Sequence, residues 1–398
     1  MFDLKVVIIG GGIGGCTSGL FLIREGHYDV HLYERAEKIL PVGAAISVWS
    51  NGVKVLNRCG LGKRVIELGG RMDRMVYKDS TTNETLVNMD LIPLYQDVGE
   101  RGYPVPRAEL QDMLMAEYVA AGGKVSLGKI CTAVEENSVG KIRAVFSDGT
   151  KSDYCDLLIG ADGIKSTVRE FVLNRTVPIV YHYTNWNGMV AMDSQIGKSN
   201  EWLMYVGEGK RASVMPVGGN RFYFFMGAPL PENNAPKRDE GMKDELRSIF
   251  KGWPSAIQTL IDAIDVSKLN RIPICDIDPI SQFYKGNVVL LGDSAHATTP
   301  TLGQGGCQAM EDAEVLCSFL TTTNVSVQDA LQRYQDHRIE RVHTMVLKAR
   351  ERSKQIYPTN AEEFKKTENW YKVLPNSGPG IIQGISTNLK QGPWPPRL

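Results

Sequence analysis

The chain has 398 residues, more than one hydrophobic core ordinarily organises, so two domains or one large composite domain are expected. Its 42% hydrophobic and 23% charged residues exclude a largely disordered chain, and 45 Lys+Arg against 45 Asp+Glu leave no global field to attract nucleic acid or an anionic membrane. No apolar run reaches the roughly 18 residues that span a bilayer. The start, MFDLKVVIIGGG, lacks a signal peptide's charged region, and seven scattered cysteines include no CxxC pair. A reduced, cytoplasmic protein with neither a disulfide framework nor a metal site is expected.

Residues 5–9 are a short β-branched run followed by glycines. A helical stretch at about 13–26 comes next, and His31–Glu34 reads as a second strand. Strand, glycine turn, helix and strand within about 30 residues make a βαβ unit with a right-handed connection. Residues 50–70 and 107–121 read as helices, the second starting after Pro106. From about Val177 to Phe225 the pattern changes to alternating, aromatic-rich segments, which predict an antiparallel sheet. Helix near 240–265, a buried strand within 287–293 and helices over 305–320 and 325–353 complete the chain. The fold class is thus α/β. A Rossmann-like nucleotide domain over 1–70, 100–175 and 268–350 is interrupted by a mainly antiparallel substrate domain over 71–99 and 176–267. A C-terminal helical extension spans 351–398.

Three glycine-centred motifs carry the chemistry. Gly10, Gly12 and Gly15 match GxGxxG between a strand and a helix, with Gly14 inside the motif. There the glycines permit a tight turn and close approach of a pyrophosphate to the helix N-terminus, whose free N–H groups and dipole favour anions. Glu34 ends the next strand about 20 residues on, where a carboxylate can accept from ribose hydroxyls. The pattern predicts a dinucleotide without separating NAD from FAD. The second motif runs from Asp156 through Gly160, Asp162 and Gly163 to Arg169; by itself it is a strand ending in an Asp-Gly turn. The third runs from Gly286 through Gly292, Asp293 and His296 to Gly303, Gln304, Gly305, Gly306, Cys307 and Asp312; by itself it is a strand, a polar loop and a capped helix.

In this order the three motifs resemble the class A flavoprotein aromatic hydroxylases, the para-hydroxybenzoate hydroxylase type, over nearly the whole chain. The resemblance implies that the first motif holds the ADP half of FAD and that Asp162 lies beside the pyrophosphate. It further implies that Asp293 contacts the ribityl chain, that 303–307 lies near the flavin pyrimidine ring, and that Arg107 stands close to the cofactor. The segments 42–56, 184–190, 206–217, 221–227 and 303–313 are similar to those of the bacterial FAD-dependent urate hydroxylases within this family. That similarity implies an NADH- and O2-consuming monooxygenase converting urate to 5-hydroxyisourate through a flavin C4a-hydroperoxide. Arg211 would hold urate and Tyr223 would line its pocket. Arg35, Ser47 and Cys131 would join Gly14 and Glu34 at the flavin, Cys131 through its backbone. A homodimer is common in the family.

The residues are compatible with that chemistry. Urate, an anion at neutral pH, is electron-rich at C5, and a guanidinium binds a planar polar anion through several N–H donors. Arg211 reads as a strand residue, although Lys210-Arg211 also suits a surface turn. Alternation places Phe222 and Phe224 on one strand face and Tyr223 and Phe225 on the other. His296 is read as a structural histidine, Cys307 as no nucleophile, and the charge-rich stretch 335–354 as a solvated amphipathic helix. The alternatives are a same-fold hydroxylase of another heteroaromatic acid, such as a hydroxynicotinate or salicylate-like compound, and a flavoprotein that binds FAD without oxygenating anything.

Overall fold

The computed structural model describes residues 4–38, 45–229 and 241–390. The expected domain ends at 1–3 and 391–398 therefore lie outside the described residues, as do the matching residues 42–44. In chain order, β1 (Leu4–Ile9), α1 (Ile13–Arg24) and β2 (Tyr28–Tyr33) form the first βαβ unit, followed by β3 (Ala45–Val48), α2 (Ser50–Arg58) and α3 (Gly62–Leu68). Next come β4 (Arg74–Asp79), β5 (Thr85–Asp90), α4 (Ile92–Val98), β6 (Tyr103–Pro106), α5 (Arg107–Ala120), β7 (Lys124–Ser126), β8 (Cys131–Glu136), β9 (Ile142–Phe146), β10 (Leu157–Gly160) and α6 (Thr167–Leu173). The middle holds β11 (Ile179–Ala191), β12 (Glu201–Gly207), β13 (Lys210–Val217), β14 (Arg221–Pro229), α7 (Met242–Ile249), α8 (Ser255–Ala263) and β15 (Asn270–Ile277). The chain returns with β16 (Tyr284–Lys285), β17 (Val288–Leu290), α9 (Asp293–His296), α10 (Gly305–Leu320), α11 (Val327–Ile356), α12 (Ala361–Val373) and α13 (Gly378–Lys390).

Two sheets organise these elements. The first has the order β16-β17-β10-β1-β2-β7, parallel except for β16. Its central strands are apolar through and through: Val6 to Ile9 and Leu157 to Ile159 are all buried, as strands covered by helices on both faces must be. The glycine fingerprint is set by packing as well as by conformation. Gly10 has φ +107°, and a Cβ there would lie 2.2 Å from the Ala161 carbonyl oxygen, so β1 and β10 come together only because the side chain is missing.

The second sheet, β15-β11-β14-β13-β12-β4-β5, is antiparallel except where β12 runs parallel to β4. One face carries Phe222, Phe224, Trp186 and Val214 into a core shared with α7 and α8; the opposite face looks toward the first sheet. Two expectations differ from this arrangement. The helix read over 50–70 is two helices, because Gly60 adopts φ +66° and Leu61 N–H donates back to the Leu56 carbonyl, closing α2 with a left-handed residue. And β15, placed with the nucleotide domain by the boundary at 268, pairs with β11 from Asn270 to Ile277, so the substrate sheet extends beyond that boundary. No helix among the described residues is long and apolar enough to cross a membrane.

Candidate active site

A cavity of about 330 Å³ lies between the two sheets. One wall is the glycine fingerprint. Gly12 precedes α1 in extended conformation with no side-chain cap, so the first N–H groups of α1 open on the cavity. A Cβ at Gly12 would meet nothing within 4 Å, which leaves room for a group lying against the backbone. The opposite wall is the start of α10. Gly303 turns with φ +64°, and Gly305 and Gly306 line the cavity. Gln304, the residue before α10, does not cap it: its amide oxygen instead accepts from Asn51 at 2.9 Å and from Gln308 at 3.1 Å. Two helix N-termini thus face one cavity, a pairing suited to anionic groups.

Between them stands Asp293. Its side chain is open to the cavity and makes no hydrogen bond or ion pair among the described residues, while the surrounding protein raises its pKa against the pull of His296, Arg107 and Arg169. Arg107 and Ser47 complete this side. These features fit FAD: glycine backbone and helix N-termini for its phosphates, and an unpartnered acceptor for its hydroxyls.

The floor is the inner face of the second sheet, and its register can be followed directly. Arg211 pairs with Gly227 and Gly227 with Asn185; Ser213 with Phe225 and Phe225 with Asn187; Met215 with Tyr223 and Tyr223 with Met189. Opposed residues share a face, so Arg211, Tyr223, Phe225, Asn185 and Met215 reach the cavity together. The expected division of Phe222 and Phe224 from Tyr223 and Phe225 holds. Arg211 is only 4% exposed, lies in β13 rather than in a turn, and forms no ion pair among the described residues. Its Nε has no hydrogen-bond partner there either, and its guanidinium sits 4.7 Å from the Phe225 ring. Burial pulls its pKa down, but Tyr357, Tyr183 and Tyr77 more than offset this, so the group is a cation at all physiological pH.

Other expected residues stand outside the cavity lining. Gly15 packs on the Gly10 carbonyl. Glu34 accepts from Gly11 N–H at 2.6 Å and Ala36 N–H at 2.9 Å, bracing the fingerprint loop. Asp162 accepts from Ser166 Oγ at 2.5 Å and Val168 N–H at 3.2 Å at the start of α6, while its neighbours Ala161 and Gly163 line the cavity. The Cys131 carbonyl accepts from Thr167 Oγ1 at 3.1 Å, and Arg35 is exposed. Cys307 is buried, its thiol pushed up to about 12 by desolvation and its sulfur accepting from Trp49 N–H at 3.3 Å, as suits a residue with no nucleophilic role. His296 is bound to Asp312 at 2.6 Å, a satisfied structural histidine.

Reading the sequence alone misses a buried ionic network behind α10. Arg338, fully buried in α11, donates to Asp312 and to Glu311 at 2.6 Å each and to the Gln308 side chain at 2.8 Å. Arg341 donates twice to Glu311 at 2.8 Å, and Asp312 also accepts from Gly292 N–H at 2.8 Å. The network ties the 292–296 loop and the α10 N-terminus to one helix. Its cations sit in the charge-rich stretch expected to be solvated; only the acidic pair Glu311-Asp312, buried beside a glycine loop, hinted otherwise.

Residues 3–349 match the FAD binding domain family. The chain is 44% identical over 396 residues to the FAD-dependent urate hydroxylase of Mycolicibacterium vanbaalenii, covering 99% of this chain and 98% of the relative. It is 42% identical over 392 residues to that of Klebsiella pneumoniae, covering 98% and 100%. The crystal structure of K. pneumoniae HpxO complexed with FAD and uric acid shares 39% identity and superposes with a TM-score of 0.91, over 98% of this chain and 97% of that one. The full-length match accounts for the substrate sheet as well as the nucleotide motifs, and this chain belongs to the FAD-binding class A flavin hydroxylase family, alongside the FAD-dependent urate hydroxylases.

Proposed function

We propose that this chain hydroxylates urate at C5 to 5-hydroxyisourate, consuming NADH and O2. The observation that carries the reading is Arg211: a buried cation with no carboxylate partner among the described residues, open to the cavity that the FAD-type glycine loops also line. A cation desolvated in this way is costly unless an anion joins it, and urate at neutral pH is a planar anion of suitable size. Bound FAD supplies the redox chemistry, accepting a hydride from the nicotinamide and activating O2 for transfer of one oxygen atom.

The protein's own groups do the rest. Arg211 binds and orients the anion through its N–H fork. Tyr223 and Phe225 offer ring surface beside it, and Met215 and Trp202 add apolar lining that disfavours water there. The N-terminus of α10 adds a positive potential that favours negative charge within the cavity. Gly12, Gly14, Arg107, Asp293, Gly303, Gly305 and Gly306 are the residues we assign to the cofactor.

The test is NADH oxidation by the purified yellow protein with and without urate, while urate absorbance is followed. Stimulated oxidation with matched urate loss supports the reading. Stimulation without urate loss makes urate an effector that uncouples the flavin, and no stimulation sends the substrate search to other heteroaromatic acids. Replacing NADH by NADPH decides the nicotinamide.

A further inference from the structure

Arg211 lies against a residue distant from it in sequence. Tyr357 follows the last turn of α11, its N–H donating to the Ser353 carbonyl at 2.8 Å, and it is 2% exposed. Its ring stacks on Tyr183 of β11 with centroids 3.9 Å apart and planes 21° apart. The Arg211 guanidinium carbon lies 5.8 Å from the Tyr357 centroid and 4.7 Å from that of Phe225.

The sheet makes room for this ring. Gly227 lies directly between Asn185 and Arg211 in register, and a Cβ there would stand 2.3 Å from the Tyr357 hydroxyl oxygen and 2.6 Å from its Cζ. The phenol end of Tyr357 thus fills the slot that a side chain at 227 would take, beside the Arg211 side chain. Tyr357 Oη, Tyr183 Oη and Arg211 Nε find no hydrogen-bond partner of ordinary geometry among the described residues, and no carboxylate there reaches Arg211; it is met by the Phe225 and Tyr357 rings and by the Tyr357 phenol, which helps to raise its pKa.

Resting on the urate reading above, we propose that Tyr357 is a positioning residue for substrate binding: its ring and that of Phe225 bracket the Arg211 guanidinium and hold it aimed into the cavity. Rings suit this task. They attract a cation and restrict a long side chain without neutralising its charge, whereas a carboxylate would compete with the anionic substrate for the same N–H groups.

The experiment is a titration of urate into oxidised, FAD-loaded protein, read by the change in flavin absorbance, alongside steady-state kinetics. Tyr357→Ala is expected to raise the urate Kd and KM roughly tenfold with FAD retained and kcat changed much less. Tyr357→Phe, which keeps the ring, is expected to recover most of that loss. Gly227→Ala pushes the phenol away without removing it and is expected to weaken urate binding similarly. The Gly227→Ala/Tyr357→Ala double variant is expected to bind no worse than the worse single variant, since both remove one contact. Should Tyr357→Ala fail to fold, Gly227→Ala and Tyr357→Phe carry the test. Wild-type affinity in FAD-loaded Tyr357→Ala or Gly227→Ala, or a Phe variant as weak as the Ala variant, overturns the proposal. If wild-type protein shows no response to urate, the functional reading fails, and the positioning role as stated fails with it.

Discussion

Arg211→Gln separates binding from stability in a way that an ordinary buried arginine would not. The guanidinium is 4% exposed, has no carboxylate within ion-pair distance among the described residues, and is compensated by ring faces. Glutamine keeps the polar reach but removes the charge. The lost charge-assisted hydrogen bonding to an anion is worth about 1.5–3 kcal/mol, which at about 1.4 kcal/mol per decade is roughly a 10- to 150-fold rise in urate Kd. Folding should not suffer. Where a buried charge has an ion-pair partner, removing one member strands the other and costs about 3–5 kcal/mol; here no carboxylate among the described residues is stranded, and the desolvation penalty of the cation disappears together with its ring contacts. The variant is therefore expected to bind FAD and to unfold in urea within about 1 kcal/mol of wild type, or later. The assays are denaturant unfolding of the holoprotein and urate titration of its flavin spectrum. Marked destabilisation would show that Arg211 is paired in the folded protein, and unchanged urate affinity would remove it from the site.

Further expectations concern the cofactor cradle and the network behind it. Gly12→Val places a branched side chain in the open space against the fingerprint backbone; the variant should purify without yellow colour, and a fully flavinated, active Gly12→Val protein would refute the assignment of that wall. Arg338→Met leaves Glu311 and Asp312 with fewer partners in the interior, at a cost of about 3–5 kcal/mol by denaturant unfolding; a change below about 1 kcal/mol would mean that the network is dispensable. The same pair sets a pH dependence. Burial alone would raise both carboxyls, but His296 and Arg338 around Asp312, and Arg338 and Arg341 around Glu311, hold them below the ordinary range. Carboxylates depressed in the folded state contribute stability above the unfolded pKa of about 4 that is lost as pH falls through the folded values. The gap in thermal stability between wild type and Arg338→Met should therefore narrow below about pH 4, and a gap that widens on acidification would contradict the ionic account.

What the chain determined on its own was local in kind. A β-branched run, a glycine fingerprint and an acid at fixed spacing specify a nucleotide-type βαβ unit, because Gly10 and Gly15 are needed by contacts that any such crossing must make. Alternation along β14 assigned Tyr223 and Phe225 to one face, because side-chain direction in a strand follows from backbone geometry alone. Tertiary structure decided what depends on partners distant in sequence. Arg338 looks like one more surface charge in a helix rich in them, and only the packing of α11 on α10 makes it the buried counter-ion of Glu311 and Asp312. Gly227 looks like an unremarkable strand glycine until Tyr357, carried in by another helix, takes the space of its missing side chain. Glu34 and Gln304 also accept from Gly11 N–H and from the Asn51 amide, hydrogen bonds that no spacing encodes. Arg211 shows both levels at once: its strand is legible in the sequence, whereas its surroundings, rings and, among the described residues, no carboxylate, are decided by the fold.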